Sequence, residues 1–155
     1  MKNEREIVPG LFIAGQPSED ELHNLAGSGY RTLVNLRGAD EEGAIADEER
    51  LVESSGVSYA SIPVTPQTID DLAVFRFIQA IDSDISQPAV THCGSGGRAG
   101  IMVLLHLAIK HGWSVAQALE EGEKLGIAPG AASPYRAFVE DYIRRHSPAE
   151  RAPDF

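Results

Sequence analysis

Cys93 and Arg98 are the two residues whose types and spacing most directly point to chemistry, with Gly94, Ser95, Gly96 and Gly97 between them. A cysteine is a nucleophile when it carries negative charge, and the planar fork of a guanidinium matches two oxygens of a phosphate or a similar oxyanion. The glycines between them lack a Cβ, so backbone N–H groups can converge on a bound anion. Cysteine is often no more than a small buried hydrophobe. At the mouth of a glycine loop and five positions ahead of an arginine, Cys93 reads instead as catalytic, together with Arg98. Gly94, Ser95, Gly96, Gly97 and Arg98 read as the phosphate-binding set. His92 sits at a strand end, where a buried hydrogen-bonded side chain is the plain reading.

Two elements must position this loop. Pro88 punctuates the chain, and 89–92 then forms a short β-biased run that stops at the glycines. From 99 to 110 the segment is apolar on all sides of a helical wheel, through Ile101, Val103, Leu104, Leu105, Leu107 and Ile109, as in a buried helix. The unpaired N–H groups at the start of such a helix point back at the loop, so the loop is expected to hold an anion. The same field stabilises negative charge on the cysteine sulfur, whereas a cation at a helix N-terminus is unfavourable unless an anion joins it.

The rest of the chain supplies a scaffold for them. Leu11-Phe12-Ile13-Ala14 reads as a first strand, and Ser18 with Glu21 forms a capping box that starts a helix to about residue 27. Residues 32–36 form a second strand, 38–43 a polar loop, 44–55 an acidic solvated helix, and 57–64 a third strand. Thr68 with Asp71 predicts a further capping box and a helix to about residue 82, with Leu72, Phe75, Ile78 and Ile81 inward. Ser114 with Gln117 opens another helix that Gly126 ends, and Ser133-Pro134 starts a last one reaching about His146. Strands alternating with helices of these lengths predict an α/β fold with a central, mainly parallel four-stranded sheet flanked by helices. Ligands collect beyond the carboxyl ends of such strands, where the glycine loop lies.

At 155 residues the chain fits one domain, expected over 1–146 with a flexible tail at 147–155. One cysteine excludes an intrachain disulfide and leaves no resolving thiol. The charged start and the lack of a long apolar stretch make the cytoplasm the default location. A formal net charge of −10 argues against nucleic acid and anionic membrane as partners, since both require a basic face. His23, His106, His111 and His146 show no ligand spacing, so neither a metal nor another cofactor is expected.

His92-Cys93-Gly94-Ser95-Gly96-Gly97-Arg98 resembles the phosphate loop of the cysteine-dependent protein tyrosine and dual-specificity phosphatases. Those enzymes place five residues between cysteine and arginine and usually a hydroxyl residue after the arginine; here there are four, followed by Ala99. The shortened loop is similar to that of a bacterial phosphatase-like family named after beta-lactamase-hydrolase-like proteins. The strand, Gly15-Gln16-Pro17, helix, Gly29-Tyr30 and strand to Asn35-Leu36-Arg37 are similar to the amino-terminal part of that family.

The resemblance implies a phosphomonoester hydrolase, acting on phosphotyrosine, other phosphoproteins or a phosphorylated small molecule through a phosphocysteine. It also implies that His92 orders the loop and that phosphate or sulfate binds there. In the related phosphatases an aspartate general acid follows the third strand, but residues 62–67 contain no carboxylate. Asp70 is the best candidate, since Asp71 is assigned to the cap. Gln16 and Arg37 stand at strand ends and could line the pocket. Rhodaneses share the four-residue spacing, so sulfur transfer through a Cys93 persulfide is a second reading, and a catalytically weak oxyanion-binding domain a third.

Overall fold

The computed structural model describes residues 1–150. Five strands form one sheet: β1 (Arg5–Val8), β2 (Leu11–Ala14), β3 (Thr32–Asn35), β4 (Ser58–Ser61) and β5 (Ala89–His92). Their order is β1-β2-β5-β3-β4, and every pairing is parallel except β1 with β2. The expected class and parallel sheet are both present, with a fifth strand added at one edge. Residues 5–8 show little apolar alternation because only Ile7 of that stretch is buried. Charge on an edge strand keeps it from pairing with other chains, which also conceals it from pattern reading.

β5 is the central strand and is buried along its whole length. Its register with both neighbours brings Ala14, His92 and Asn35 level at their carboxyl ends. The segments that leave these strands therefore start side by side, and backbone bonds hold them together further: Cys93 N–H donates to Ala14 O at 3.3 Å and Leu36 N–H to His92 O at 3.0 Å.

Helices cover both faces. α1 (Glu19–His23) and α2 (Glu48–Ser54) lie on one side, where Leu22, Leu25, Leu51 and Val52 pack with Leu33 and Val90. The other side holds α3 (Asp71–Ile81), α4 (Gly97–His111), α5 (Val115–Leu125) and α6 (Arg136–His146). Their core joins Phe77, Met102, Leu104, Val139 and Ile143 to Leu11, Ile13 and Val34 of the sheet. Successive strand residues point to opposite faces, so Ile13 and Ala14 enter different cores.

The Ser18–Glu21 and Ser114–Gln117 capping boxes form as expected, although α1 is only five residues long. Three details depart from the sequence reading. The cap of α3 is Asp70, whose carboxylate accepts from Ala73 N–H at 2.9 Å, while Thr68 closes a separate turn with Thr65. The buried face agrees with expectation only in part: Ile81 is buried and Ile78 packs against the core, Ala73, Val74 and Phe77 join them, and Leu72 and Phe75 are more than half exposed. Ser133 does not cap α6; its hydroxyl accepts from Tyr135 N–H, and the helix begins at Arg136. The expected flexible tail begins with ordered residues, since Ser147 is buried and donates to Trp113 O, and Glu150 accepts from Val115 N–H. The remainder of that tail, 151–155, lies outside the described residues.

Candidate active site

The loop from Cys93 to Arg98 has its carbonyls turned outward by neighbours. Gly94 O accepts from Gln16 N–H at 3.2 Å, and Ser95 O accepts from the Asn3 side chain at 2.9 Å. In a trans peptide the N–H points opposite to the C=O, so both bonds aim the following N–H groups, those of Ser95 and Gly96, into the loop. The Gly96 N–H meets Cys93 Sγ at 3.1 Å. Gly96 caps α4 with a φ of 106°, a conformation that glycine adopts without the Cβ strain of other residues. Gly97 and Arg98 follow as the first helical residues, whose N–H groups have no partner within the helix. The N–H groups of Ser95 and Gly96 thus turn into the loop, and those of Gly97 and Arg98 begin α4, beside Cys93, which is only 2% exposed.

The Arg98 side chain is held from behind. Nη1 donates to Glu41 Oε2 and to Val64 O, both at 3.0 Å, and Nη2 donates to Glu41 Oε1 at 2.7 Å. A guanidinium has five N–H donors. Among the described residues the Nε hydrogen and one Nη2 hydrogen have no partner, an edge that fits two oxygens of a tetrahedral anion. The hydrogen bonds from Arg98 hold the Glu41 carboxyl down at about 2 despite partial burial, with the Gly38 N–H assisting.

A buried polar network underlies the loop. His92 Nε2 meets Glu48 Oε2 at 2.7 Å, and both side chains are almost fully buried. Glu48 also accepts from Gln16 Nε2 at 2.9 Å and from the Tyr59 hydroxyl at 3.3 Å. Burial, reinforced by the Glu48 charge, pushes the Tyr59 phenol up to about 12, so it remains a donor. Arg37 Nη1 donates to Gln16 Oε1 at 2.8 Å, and Arg37 Nε donates to Glu41 Oε1 at 3.3 Å. The path His92–Glu48–Gln16–Arg37–Glu41–Arg98 therefore runs without a break from one end of the loop to the other. Gln16 and Arg37, expected at most as pocket lining, are members of this support.

Glu41 and Glu48 were not singled out by their sequence context. Glu48 lies in the acidic helix expected to be solvated, yet its carboxylate is turned into the protein beside His92. Glu41 lies in a polar loop that carries no local signal. The residue proposed as an acid, Asp70, is occupied in capping α3. Asp71 is bound by Arg145 and His146 away from the loop. Among the described residues, no cluster of three or more His, Cys, Asp or Glu side chains converges as a metal site requires, and no helix is long and apolar enough to cross a membrane.

A cavity of about 480 Å³ opens beside the cradle. Residues 95–98 of the loop line it together with residues 126–130 and 133–135 and with Asn3 and Arg5.

The family described as a DSP-PTPase phosphatase fused to NAD+ kinase matches residues 2–140, and the chain belongs to that family. A beta-lactamase hydrolase-like protein of Xylella fastidiosa is 35% identical over 104 residues, covering 64% of this chain. The match spans 24% of that protein, so the chain corresponds to about a quarter of the length of the curated relatives it matches. Among solved structures, a candidate phosphatase of Shewanella putrefaciens CN-32 has a TM-score of 0.76 at 22% identity, over 94% of both chains. The core catalytic domain of the PP-IP phosphatase SIW14 of Saccharomyces cerevisiae has a TM-score of 0.69 at 16% identity, over 91% of this chain and 85% of that one. At such identities the likeness establishes the fold, which is that of the protein tyrosine phosphatase-like proteins.

Proposed function

We propose that the chain is a cysteine-dependent phosphatase that hydrolyses phosphomonoesters, carried by phosphoproteins or by small molecules, through a phosphocysteine intermediate. The observation that carries the reading is the inward-facing donor cradle directly above Cys93, completed by the two free hydrogens of Arg98. Cys93 Sγ attacks phosphorus while the Ser95 to Arg98 N–H groups and the guanidinium hold the non-bridging oxygens. The donors are fixed before the reaction starts, so little reorganisation accompanies the growth of charge. Water then attacks the phosphocysteine and releases phosphate.

The four-residue loop also keeps a persulfide reading in view, in which Cys93 accepts a sulfur from a donor such as thiosulfate. Intact mass after acid quench separates the two, with an aryl phosphate in one sample, thiosulfate in another and Cys93→Ser as control. A phosphoryl adduct on the wild type alone, or Cys93-dependent phosphate release, is the expected result. A single added sulfur would assign the protein to sulfur transfer. Tight phosphate binding with neither adduct nor product would reduce the site to an oxyanion receptor.

A further inference from the structure

The support beneath Arg98 and Cys93 is complete, but no carboxylate of 62–71 is free to protonate a leaving group, since Asp70 and Asp71 are both engaged elsewhere. Tyr135 lines the cavity together with residues 95–98 of the loop. Its ring packs against the core beside α4, and its backbone N–H is tied to Ser133 Oγ at 3.2 Å immediately before α6, so its position is set by the fold. Among the described residues its hydroxyl makes no hydrogen bond, and Tyr135 lines the same cavity as Gly96, Gly97 and Arg98. We infer that Tyr135 is the proton donor to the leaving oxygen, in the place that a loop aspartate would otherwise fill.

This role rests on the phosphatase reading. In the first step the Sγ–P bond forms and the P–O bond to the leaving group breaks, while the Tyr135 hydroxyl proton passes to the departing oxygen and leaves a tyrosinate. In the second step the attacking water gives one proton to that tyrosinate and its hydroxyl to phosphorus, and the S–P bond returns its electron pair to Cys93. Both steps use the same apical position, so one donor serves both directions of proton movement. Burial raises the Tyr135 phenol above its ordinary range, opposed by Arg98, and charge on Cys93 and Glu41 raises it further. The group therefore enters the cycle protonated.

Tyr135→Phe removes only the hydroxyl and keeps the ring that packs on the core. The test compares kcat/KM for 4-nitrophenyl phosphate, whose leaving group needs no proton, with that for an alkyl phosphate, whose leaving group does. The variant is expected to lose roughly 10²-fold on the alkyl ester and less than about 3-fold on the nitrophenyl ester, because a general acid acts only where charge accumulates on the leaving oxygen. Equal changes on both esters, or none, in an enzyme that still forms a phosphocysteine would overturn the assignment and leave Tyr135 as a wall of the pocket. Absence of both a Cys93-dependent phosphocysteine and Cys93-dependent phosphate release in the wild type would overturn the phosphatase reading and this assignment together, which the mass and phosphate measurements distinguish from the first case.

Discussion

The two sides of the anion loop are built in opposite ways. Beneath it, His92, Glu48, Gln16, Arg37, Glu41 and Arg98 bond to one another in sequence, and the donors that the path leaves unspent face the cradle. The residues of 126–130 and 133–135 that share the cavity are mostly small and apolar, and the Tyr135 hydroxyl has no hydrogen-bond partner among the described residues. The difference separates two tasks. Holding a charged tetrahedral group requires donors that cannot relax, because an arginine that must reorganise loses much of its advantage. Accepting a variable leaving group requires room and few fixed polar contacts.

The comparison predicts different signatures for damage on each side. Cys93→Ser should reduce turnover by roughly 10³-fold or more, because a nucleophile has no substitute in the path, while phosphate binding survives; a rate assay beside phosphate titration checks both. Glu48→Ala leaves the buried His92 ring without its hydrogen-bond partner and should cost about 1–3 kcal/mol of stability, read from urea unfolding. Arg98→Lys keeps the charge but loses the fork, so kcat/KM should fall roughly 10²-fold with every leaving group alike. A leaving-group-dependent loss from Arg98→Lys would break the division between the two sides.

The smallest effect concerns acid. Glu41 has its carboxyl depressed from the ordinary 4.5 to about 2, so its pairing with Arg98 contributes stability that is present above the ordinary value and lost as the pH falls through about 2. The difference in urea midpoint between wild type and Glu41→Gln should therefore hold above about pH 4.5 and shrink steadily from there toward pH 2. A difference that vanished already near pH 4.5 would mean that the pair does not hold Glu41 ionised.

The contrast between the two sides also marks what could be read from the chain. The loop was legible because its chemistry is local: a strand, a glycine turn and a buried helix place Cys93, the N–H groups and Arg98 within a few residues of one another. Capping boxes were legible at Ser18 and Ser114 for the same reason. They misled at Thr68, where Asp70 caps α3 two residues later, and the inward positions expected at Leu72 and Phe75 are exposed. The supports were not legible. Glu48 is 44 residues from His92 and Glu41 is 57 residues from Arg98, and neither carries a local mark that separates it from the other acidic residues nearby.

The amino-acid sequence by itself determined the α/β alternation and the glycine loop that sets Cys93 ahead of a buried helix, because these depend on periodicity, glycine and helix termini that act over one or two turns of chain. Only the tertiary structure decided which carboxylates anchor the loop, that Asp70 and Asp71 are spent elsewhere, and that Tyr135 faces the cavity. Those outcomes depend on the parallel register that brings the ends of β2, β5 and β3 level, and on how six helices divide between two faces of one sheet. Burial turns such long-range placements into strong interactions, since an acidic side chain that is interchangeable in water becomes specific once a single partner replaces the solvent.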